Sequence, residues 1–363
     1  MKCVVHVIPD LPPCGAEMVV LTYLRKFKDD PDYRVSAISL SSNKNRLYEK
    51  TAEDEGLDIV YLGQDIGSNS ILSRLKQIKQ LHRELLAKHP DIIHIHLSIL
   101  WFVCLATLGT HVKKIFHTLH SDPTKTSYGF HIIIDRLCYV HFKVIPFALN
   151  EEMKDKANQL FNINTTKVLR NGIDLESYKN LPKEEIRKQF DIKNDSFVLG
   201  HVGRFNKVKN HTKVIDVFKE LKKFIPLSKL LLVGDGEEMP RIKEMVNSYS
   251  LDKDVIFTGA RNDVPELMSI MDCFIFPSLY EGLGIVLLEA QAAGLKCVVA
   301  DTVPQETTVT NSVFRLPLTC DSETWAGVIL GKTDLKPTPI IQSIQSYDIN
   351  NVITTLKHYY ECE

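Results

Sequence analysis

An apolar strand run, Cys273 to Phe276, passes through a glycine-bearing turn into an apolar helix run, Ile285 to Ala293, and this strand–turn–helix unit recurs along the whole chain. Strict alternation leaves few choices of fold: a parallel sheet with helices packed on both faces. In the first half the strands are Cys3 to Ile8, Val35 to Leu40, Ile59 to Leu62, Ile92 to His96, Lys114 to Leu119 and Val144 to Ala148. Helices are predicted from about Ala16 to Phe27 and over Ile71 to Lys88, where Leu72, Leu75, Ile78, Leu81 and Leu85 make one stripe. After a link near Asn171 to Pro182 the pattern restarts, with strands at Phe197 to Val202, Lys229 to Val233, Val255 to Thr258, Cys273 to Phe276 and Lys296 to Ala300. The predicted class is α/β, with two doubly wound Rossmann-like domains and a cleft between them. A chain of 363 residues suits two such cores better than one. The expected boundaries are 1–170, 171–345, and a last helix within 346–363 that returns to the first domain. Ligands of such sheets bind beyond the carboxyl ends of the strands. The loops after Ile8, Leu119, Val202, Val233, Thr258 and Phe276 are therefore the places to look.

Charge and cysteine usage narrow the class. A formal net charge of −1 gives no reason to expect a nucleic-acid partner. The halves differ mildly: residues 1–170 carry 22 Lys+Arg against 18 Asp+Glu, and residues 171–363 carry 22 against 27. That permits an anionic partner for the first half. The cysteines at 3, 14, 104, 138, 273, 297, 320 and 362 form no CxxC pair, and several lie in apolar strands, which fits a reduced compartment. The first strand starts at residue 2, so no signal peptide is expected ahead of it. The longest apolar run, Leu97 to Leu108, is too short to span a bilayer and is predicted to be a buried helix. The expected location is cytoplasmic, with peripheral attachment to the inner face of the membrane left open.

The turn at 277–294 is rich in chemistry. Gly282, Leu283 and Gly284 lead into a helix whose free N–H groups and dipole attract phosphate, and glycine lets a ligand approach the backbone. Glu281 and Glu289 add two carboxylates, which suit a ligand with hydroxyls as well as phosphate; a nucleotide-sugar has both. In GRFNKVKNH, residues 203–211, Arg204 and Lys209 offer a bidentate guanidinium and a point-charge ammonium to a diphosphate, or are two solvated surface cations. Gly15, in PDLPPCGAE, permits close approach of phosphate or acceptor with Glu17 nearby, or simply opens a helix with a favourable first-turn carboxylate. His120 and Asp122, in FHTLHSD, sit at a strand end where a histidine can meet a sugar hydroxyl or phosphate, while His117 is expected inside the strand. His94 and His96 alternate on one strand face; with no third ligand in sight, a core or supporting role is expected over a metal pair. Asp30/Asp32 and Asp252/Asp254 have DxD spacing, but the first pair sits in a polar turn and the second precedes the strand VIFTG, at the wrong end for a cleft, so no essential metal is predicted.

On these residues the chain resembles the retaining glycosyltransferases of family 4, which have the GT-B fold. The motifs are GAE (15–17), TLHS (118–121), RNGID (170–174), GRF…K (203–209), LLVGDGEE (231–238), VIFTGARNDVPELM (255–268) and Glu281…Glu289. The tail VVADTVPQETTVTNSVFRLPL followed by WAGVIL is similar to a subgroup that builds bacterial capsule or exopolysaccharide. The resemblance implies that Glu289 binds ribose hydroxyls, that Glu281 holds the donor sugar or faces its reacting carbon, and that Arg204 and Lys209 stabilise the departing diphosphate. It implies that His120 contacts the donor sugar, that Gly15 sits by the phosphates, and that backbone near Arg261 reads the base. Two departures stand out: Cys14-Gly15 replaces the usual glycine pair, and ADTVPQE replaces the usual SxxGGxPE stretch, leaving Glu306 near that position.

The function expected is metal-independent transfer of a sugar from a nucleotide-sugar, UDP-linked by preference, to a saccharide acceptor carried on lipid. The anomeric configuration is retained by front-face attack, and no cofactor beyond the donor is needed. Domain closure over the donor would exclude water. The cations of the 71–88 helix, Arg74, Lys76, Lys79, Arg83 and Lys88, either meet anionic lipid or form a solvated outer face. Two other classes remain in view: a nucleotide-sugar epimerase on the same scaffold, and an inactive nucleotide-sugar-binding partner subunit.

Overall fold

The computed structural model describes the chain apart from residues 13–14, 45, 64–70 and 363. Cys14, noted above as a departure from the family pattern, lies outside the described residues. The chain divides into two compact units: Met1–Gly172 together with Asn350–Glu363, and Ile173–Ile349.

The first unit runs β1 (Lys2–Ile8), α1 (Gly15–Phe27), β2 (Tyr33–Ser39), α2 (Leu47–Asp54), β3 (Ile59–Tyr61), α3 (Ile71–Lys88), β4 (Ile92–His96), α4 (Leu100–Ala106), β5 (Lys114–Thr118), α5 (Pro123–Thr126), α6 (Phe130–His141), β6 (Ile145–Ala148), α7 (Glu151–Phe161) and β7 (Lys167–Val168). The seven strands form one parallel sheet in the order β3-β2-β1-β4-β5-β6-β7. Helices on both faces bury both sides of the inner strands, so β1 and β4 are apolar or histidine throughout their buried length rather than alternating. Local chemistry sets the ends of α7: Asn150 Oδ1 accepts from Met153 N at 2.6 Å, and Asn162 stops the helix in the left-handed region at φ +49°.

The structure departs from the sequence reading at two helices here. Of the α3 stripe, Leu81 and Leu85 are buried, but Leu72 and Leu75 are exposed. The run 97–108 yields only the short α4, and Leu105 and Leu108 at its far end face solvent.

The second unit runs α8 (Lys183–Gln189), β8 (Val198–Val202), α9 (His211–Lys222), β9 (Lys229–Val233), α10 (Met239–Ser248), β10 (Val255–Gly259), α11 (Val264–Ser269), β11 (Cys273–Phe276), α12 (Ile285–Ala292), β12 (Lys296–Ala300), β13 (Val313–Leu316) and α13 (Ser322–Ile329). Its six parallel strands are ordered β10-β9-β8-β11-β12-β13, with β13 as a sixth strand not foreseen from sequence. The last helix, α14 (Ile349–Cys362), packs on the first unit: Tyr360 lies against Phe116 with ring centroids 5.3 Å apart, and Tyr359 Oη donates to the Val168 carbonyl at 3.2 Å.

Both sheets reverse their strand order once, between β1 and β4 and between β8 and β11. The loops leaving two such strands diverge, which opens a crevice at the carboxyl edge of the sheet.

Candidate active site

In the second unit, the loops after β8 and β11 flank the reversal and are tied to each other. Asn206 Oδ1 accepts from Lys209 N at 3.1 Å and shapes a single helical turn, Lys207–Lys209. Asn210 then takes a left-handed φ of +55°, which asparagine tolerates better than most residues, and its Nδ2 donates to the Pro277 carbonyl at 3.2 Å. Leu279 N donates to the Val208 carbonyl at 2.8 Å. These bonds set Lys209 opposite the second loop, where its Nζ meets Glu281 Oε1 at 2.6 Å and lies 4.9 Å from the centroid of the Phe276 ring. The two side chains are only 18% and 10% exposed. A pair this dry has shed much of its hydration, so a ligand that supplies an anion to the lysine and hydroxyls to the glutamate has water-poor partners to bind.

The turn behind Glu281 leads into α12. Leu283 is buried and anchors it, and Gly284 caps the helix at φ +79°. A Cβ there would lie 3.3 Å from the Phe276 ring as well as demanding a left-handed backbone, so the position calls for glycine. Gly282 is half-buried beside it. Glu289 follows on α12. Burial raises its pKa to about 7 against the opposing pull of a hydrogen bond with Tyr178, which comes from the helical turn Leu175–Tyr178. A carboxyl in that setting can donate or accept, according to what binds.

The two arginines stand apart from the Lys209–Glu281 pair. Arg204 is 54% exposed, and its Nη2 meets Glu237 Oε2 at 3.3 Å, on the loop after β9. Arg261 forks onto Asp263, with Nε 2.7 Å from Oδ1 and Nη2 on Oδ2. The structure thus brings together Lys209, Glu281 and the glycine turn, and does not bring the Arg204 guanidinium into that pair. One carboxylate of each DxD-spaced pair is occupied: Asp254 sits between Lys222 at 2.8 Å and Lys229 at 3.1 Å, and Asp30 pairs with Lys357.

In the first unit, Gly15 opens α1 and is exposed, while Glu17 is buried. Asp10, at the start of the loop that leaves β1, is engaged by Arg46 (Nη1 at 2.9 Å) and Ser41; burial pulls its pKa up, and these hydrogen bonds outweigh that and hold it well below the ordinary carboxylate range. Asp122 is committed to structure: it caps α5 through Thr124 N at 2.9 Å and pairs with Lys156 at 3.0 Å.

His120 ends a chain of imidazoles. Its Nε2 lies 2.9 Å from His96 Nδ1, and His96 Nε2 lies 2.9 Å from His6 Nδ1. His94 beside them is bound on both nitrogens, to Tyr360 Oη at 2.8 Å and Thr118 Oγ1 at 2.7 Å. His117, also buried, bridges Tyr139 Oη and the Leu97 carbonyl. Burial pushes His120 and His6 down to about 3, with His117 adding to the effect on His120, so the chain is neutral at physiological pH. In a neutral chain each ring donates to the next, so the three tautomers are set together. His6 supplies the third residue that the His94/His96 pair lacked; the three offer ring nitrogens within 4.8 Å of one another. Only His6 Nε2 among those nitrogens lacks a hydrogen-bond partner, so the cluster is built for mutual hydrogen bonding rather than for convergence on one ion. His6 and Tyr178 carry no mark in the sequence, and Glu237 is marked only as part of LLVGDGEE; His6 becomes visible only through the β1–β4 register that sets it beside His94.

Comparison with known proteins bears on the family and the fold. The family described as Glycosyltransferase Family 4 matches residues 13–177, and that described as Glycosyl transferases group 1 matches residues 182–324. EpsF of Bacillus subtilis (strain 168), named as a glycosyltransferase, is 30% identical over 343 residues, covering 90% of this chain and 87% of its own. The UDP-Gal:alpha-D-GlcNAc-diphosphoundecaprenol alpha-1,3-galactosyltransferase of Escherichia coli is 29% identical over 250 residues, 64% of this chain and 63% of its own. The crystal structure of Anabaena Alr3699/HepE in complex with UDP and glucose superposes with a TM-score of 0.80 at 20% identity, over 99% of each chain. With both sheets, both family matches and a relative aligned along nearly its full length, the chain belongs to the family 4 glycosyltransferases and has their GT-B fold.

Proposed function

We propose that this glycosyltransferase moves a sugar from a UDP-linked donor to a saccharide acceptor carried on a lipid diphosphate, with retention at the anomeric carbon and without a divalent ion. The observation that carries the reading is the Lys209–Glu281 pair at the strand reversal of the second sheet, beside the glycine turn that opens α12. The E. coli relative acts on such a donor and such an acceptor by its name, and its alpha-linked product supports retention. The sequence resemblance to capsule and exopolysaccharide enzymes supplies the biological setting. In this reading the second unit holds the donor and the first the acceptor.

The chemistry follows from charge. Breaking the bond between the anomeric carbon and the β-phosphate oxygen leaves negative charge on the diphosphate. Lys209, Arg204 and the N-terminus of α12 supply positive potential there without a metal. Arg204 exchanges Glu237 for the diphosphate, and Lys209 exchanges Glu281. Glu281, released from the lysine, takes the donor sugar's hydroxyls; Glu289 takes the ribose, with backbone beside Arg261 at the base; His120 and Gly15 are the first unit's candidate substrate contacts. The acceptor hydroxyl adds to the anomeric carbon from the face the diphosphate leaves, and its proton passes to the departing phosphate oxygen.

The test is an assay with labelled UDP-sugars and lipid-diphosphate saccharides, with the product anomer read by NMR and the rate measured with and without EDTA. The expected result is an alpha-linked product formed at an unchanged rate in EDTA, with Lys209→Ala lowering kcat/KM by about a hundredfold to a thousandfold, the usual cost of removing one charge-stabilising donor. Isomerised UDP-sugar formed without acceptor, or binding with no turnover across the panel, would overturn the reading.

A further inference from the structure

The imidazole chain that ends at His120 can run in two directions, and its buried end chooses between them. His6, His94 and His96 are fully buried on one face of the first sheet. Their rings stack: His94 on His96 with centroids 4.5 Å and planes 22° apart, and His6 on His96 at 5.2 Å and 26°. Thr118 and Tyr360 hold His94 at both nitrogens, so the stack rests on a ring that cannot turn without breaking two buried hydrogen bonds. The stack in turn fixes where the nitrogens of His96 point: Nε2 to His6 Nδ1 and Nδ1 to His120 Nε2, each at 2.9 Å.

Burial keeps these rings neutral, and a neutral imidazole carries one N–H and one lone pair. Two arrangements satisfy both contacts. In one, His120 Nε2 donates to His96 Nδ1, His96 Nε2 donates to His6 Nδ1, and His6 is left with an N–H at Nε2. In the other, His6 Nδ1 donates to His96 Nε2, His96 Nδ1 donates to His120 Nε2, and His6 Nε2 keeps only a lone pair. His6 Nε2 is buried and has no hydrogen-bond partner among the described residues. A buried N–H with no acceptor is the rarer defect and the one that folds avoid. The second arrangement therefore prevails, and the far end of the chain, His120 Nδ1, carries a hydrogen. No described residue accepts from it, and His120 is half-buried rather than sealed, so this N–H is open to a ligand.

We propose that His96 and His6 are positioning residues that lock His120 as a hydrogen-bond donor through Nδ1, serving an oxygen of the substrate, and that His120 is not a general base. The tautomers follow from the first unit alone; that the oxygen belongs to a sugar or phosphate of the substrate rests on the proposed function. A base here would need a lone pair at Nδ1 to take the acceptor hydroxyl's proton. With Nδ1 already protonated, that proton passes to the departing phosphate oxygen, as in the front-face route above. Donation at His120 also strengthens the bonds behind it, because a chain of hydrogen bonds polarises along its length. The sequence alone leaves His94 and His96 in a supporting role; the structure gives His96 a specific task and adds His6.

The experiment is long-range proton–nitrogen NMR at neutral pH on the full chain with nitrogen-15 histidine, which separates Nδ1–H from Nε2–H rings. Two histidines are internal references, because a carbonyl only accepts: His117 Nε2 faces the Leu97 carbonyl at 2.9 Å and is Nε2–H, while His201 Nδ1 faces the Ile275 carbonyl at 2.8 Å and is Nδ1–H. His6, His96 and His120 should all be Nδ1–H, whereas an unconstrained histidine favours Nε2–H. His96→Leu removes the donor to His120, so His120 should shift toward Nε2–H. That variant should lower kcat/KM for transfer by about tenfold, the scale of one misdirected hydrogen bond, with circular dichroism and UDP affinity unchanged. His96→Asn puts an amide nitrogen where Nδ1 was and should restore both the His120 tautomer and most of the rate. His120 found as Nε2–H in the wild type, the leucine variant transferring at the wild-type rate, or asparagine rescuing no better than leucine would each overturn the proposal. Should the leucine variant lose its circular dichroism, the wild-type spectrum and the asparagine variant still decide. Absence of transfer across the panel would sink the proposed function, and the wild-type tautomers, which need no turnover to be read, would still decide whether His120 is locked as a donor.

Discussion

Glu289 shows how a single residue's surroundings turn a motif into a measurable property. Its place eight positions after Glu281 is plain in the sequence, but its environment is not, because Tyr178 reaches it from a segment more than a hundred positions earlier. Burial lifts the folded pKa from 4.5 to about 7, so the fold favours the protonated acid. The sign follows: this group's contribution to stability is complete below about pH 4.5, is lost at up to about 1.4 kcal/mol per pH unit as pH rises from there to about 7, and changes no further above it. A ribose whose hydroxyls donate to the carboxylate prefers the ionised form, so UDP affinity should rise between pH 5.5 and 7 and then level, with a proton released on binding. Glu289→Gln should flatten both dependences. Urea midpoints across this range, with and without UDP, and calorimetry in buffers of different ionisation enthalpy would check it. Parallel pH profiles for variant and wild type would mean that the carboxyl titrates elsewhere.

At the scale of elements, the strands were legible except the edge strands β7 and β13, and several helices were not, for one physical reason. A strand of a parallel sheet is buried on both faces and shows as a continuous apolar run, as in LLLV of β9. The α6 sequence, FHIIIDRLCYVH, has apolar residues on both the buried and the exposed side, so no single stripe announces it. The α3 stripe misleads for the same reason, since Leu72 and Leu75 lie on the surface. Nor does local sequence reveal strand order, and strand order is what makes the loops after β8 and β11 neighbours. Gly234 in the LLVGDGEE motif holds a third loop at this edge. Its φ is +137°, and a Cβ would lie 2.1 Å from the Gly203 carbonyl oxygen, immediately before Arg204. Backbone cannot step aside as a flexible side chain can. Gly234→Ala should therefore cost about 1–3 kcal/mol through strain and lower the melting temperature by several degrees. It should also weaken UDP binding by shifting the Gly203–Lys209 loop. An unchanged melting temperature with unchanged UDP affinity would mean that the loop relaxes freely.

Over the whole molecule, the chain leaves its first unit at Gly172, builds the second, and comes back at Asn350. The returning α14 is part of the first unit's core, with Val352, Leu356 and Tyr360 buried. Tyr360 also occupies His94 Nδ1 at 2.8 Å, and Lys357 neutralises Asp30. Ending the chain at Ile349 would uncover the surface that these three large side chains cover, each worth about 1.5–3 kcal/mol, and would orphan a buried imidazole nitrogen. Against a usual domain stability of about 5–15 kcal/mol, that loss removes most or all of the first unit's margin. The second unit keeps its own sheet and core, including Trp325 and Phe276, and loses none of these contacts. Scanning calorimetry of the full chain and the truncated chain should therefore differ in one transition only: the first unit's should fall or vanish. The second unit's should survive and rise with UDP, by about 2.7 kcal/mol at a hundred times its Kd. Transfer should be lost while UDP binding remains, as expected if the donor belongs to the second unit alone. Loss of UDP stabilisation on truncation would instead mean that donor binding depends on the first unit, and the assignment of donor and acceptor to separate units would have to be abandoned.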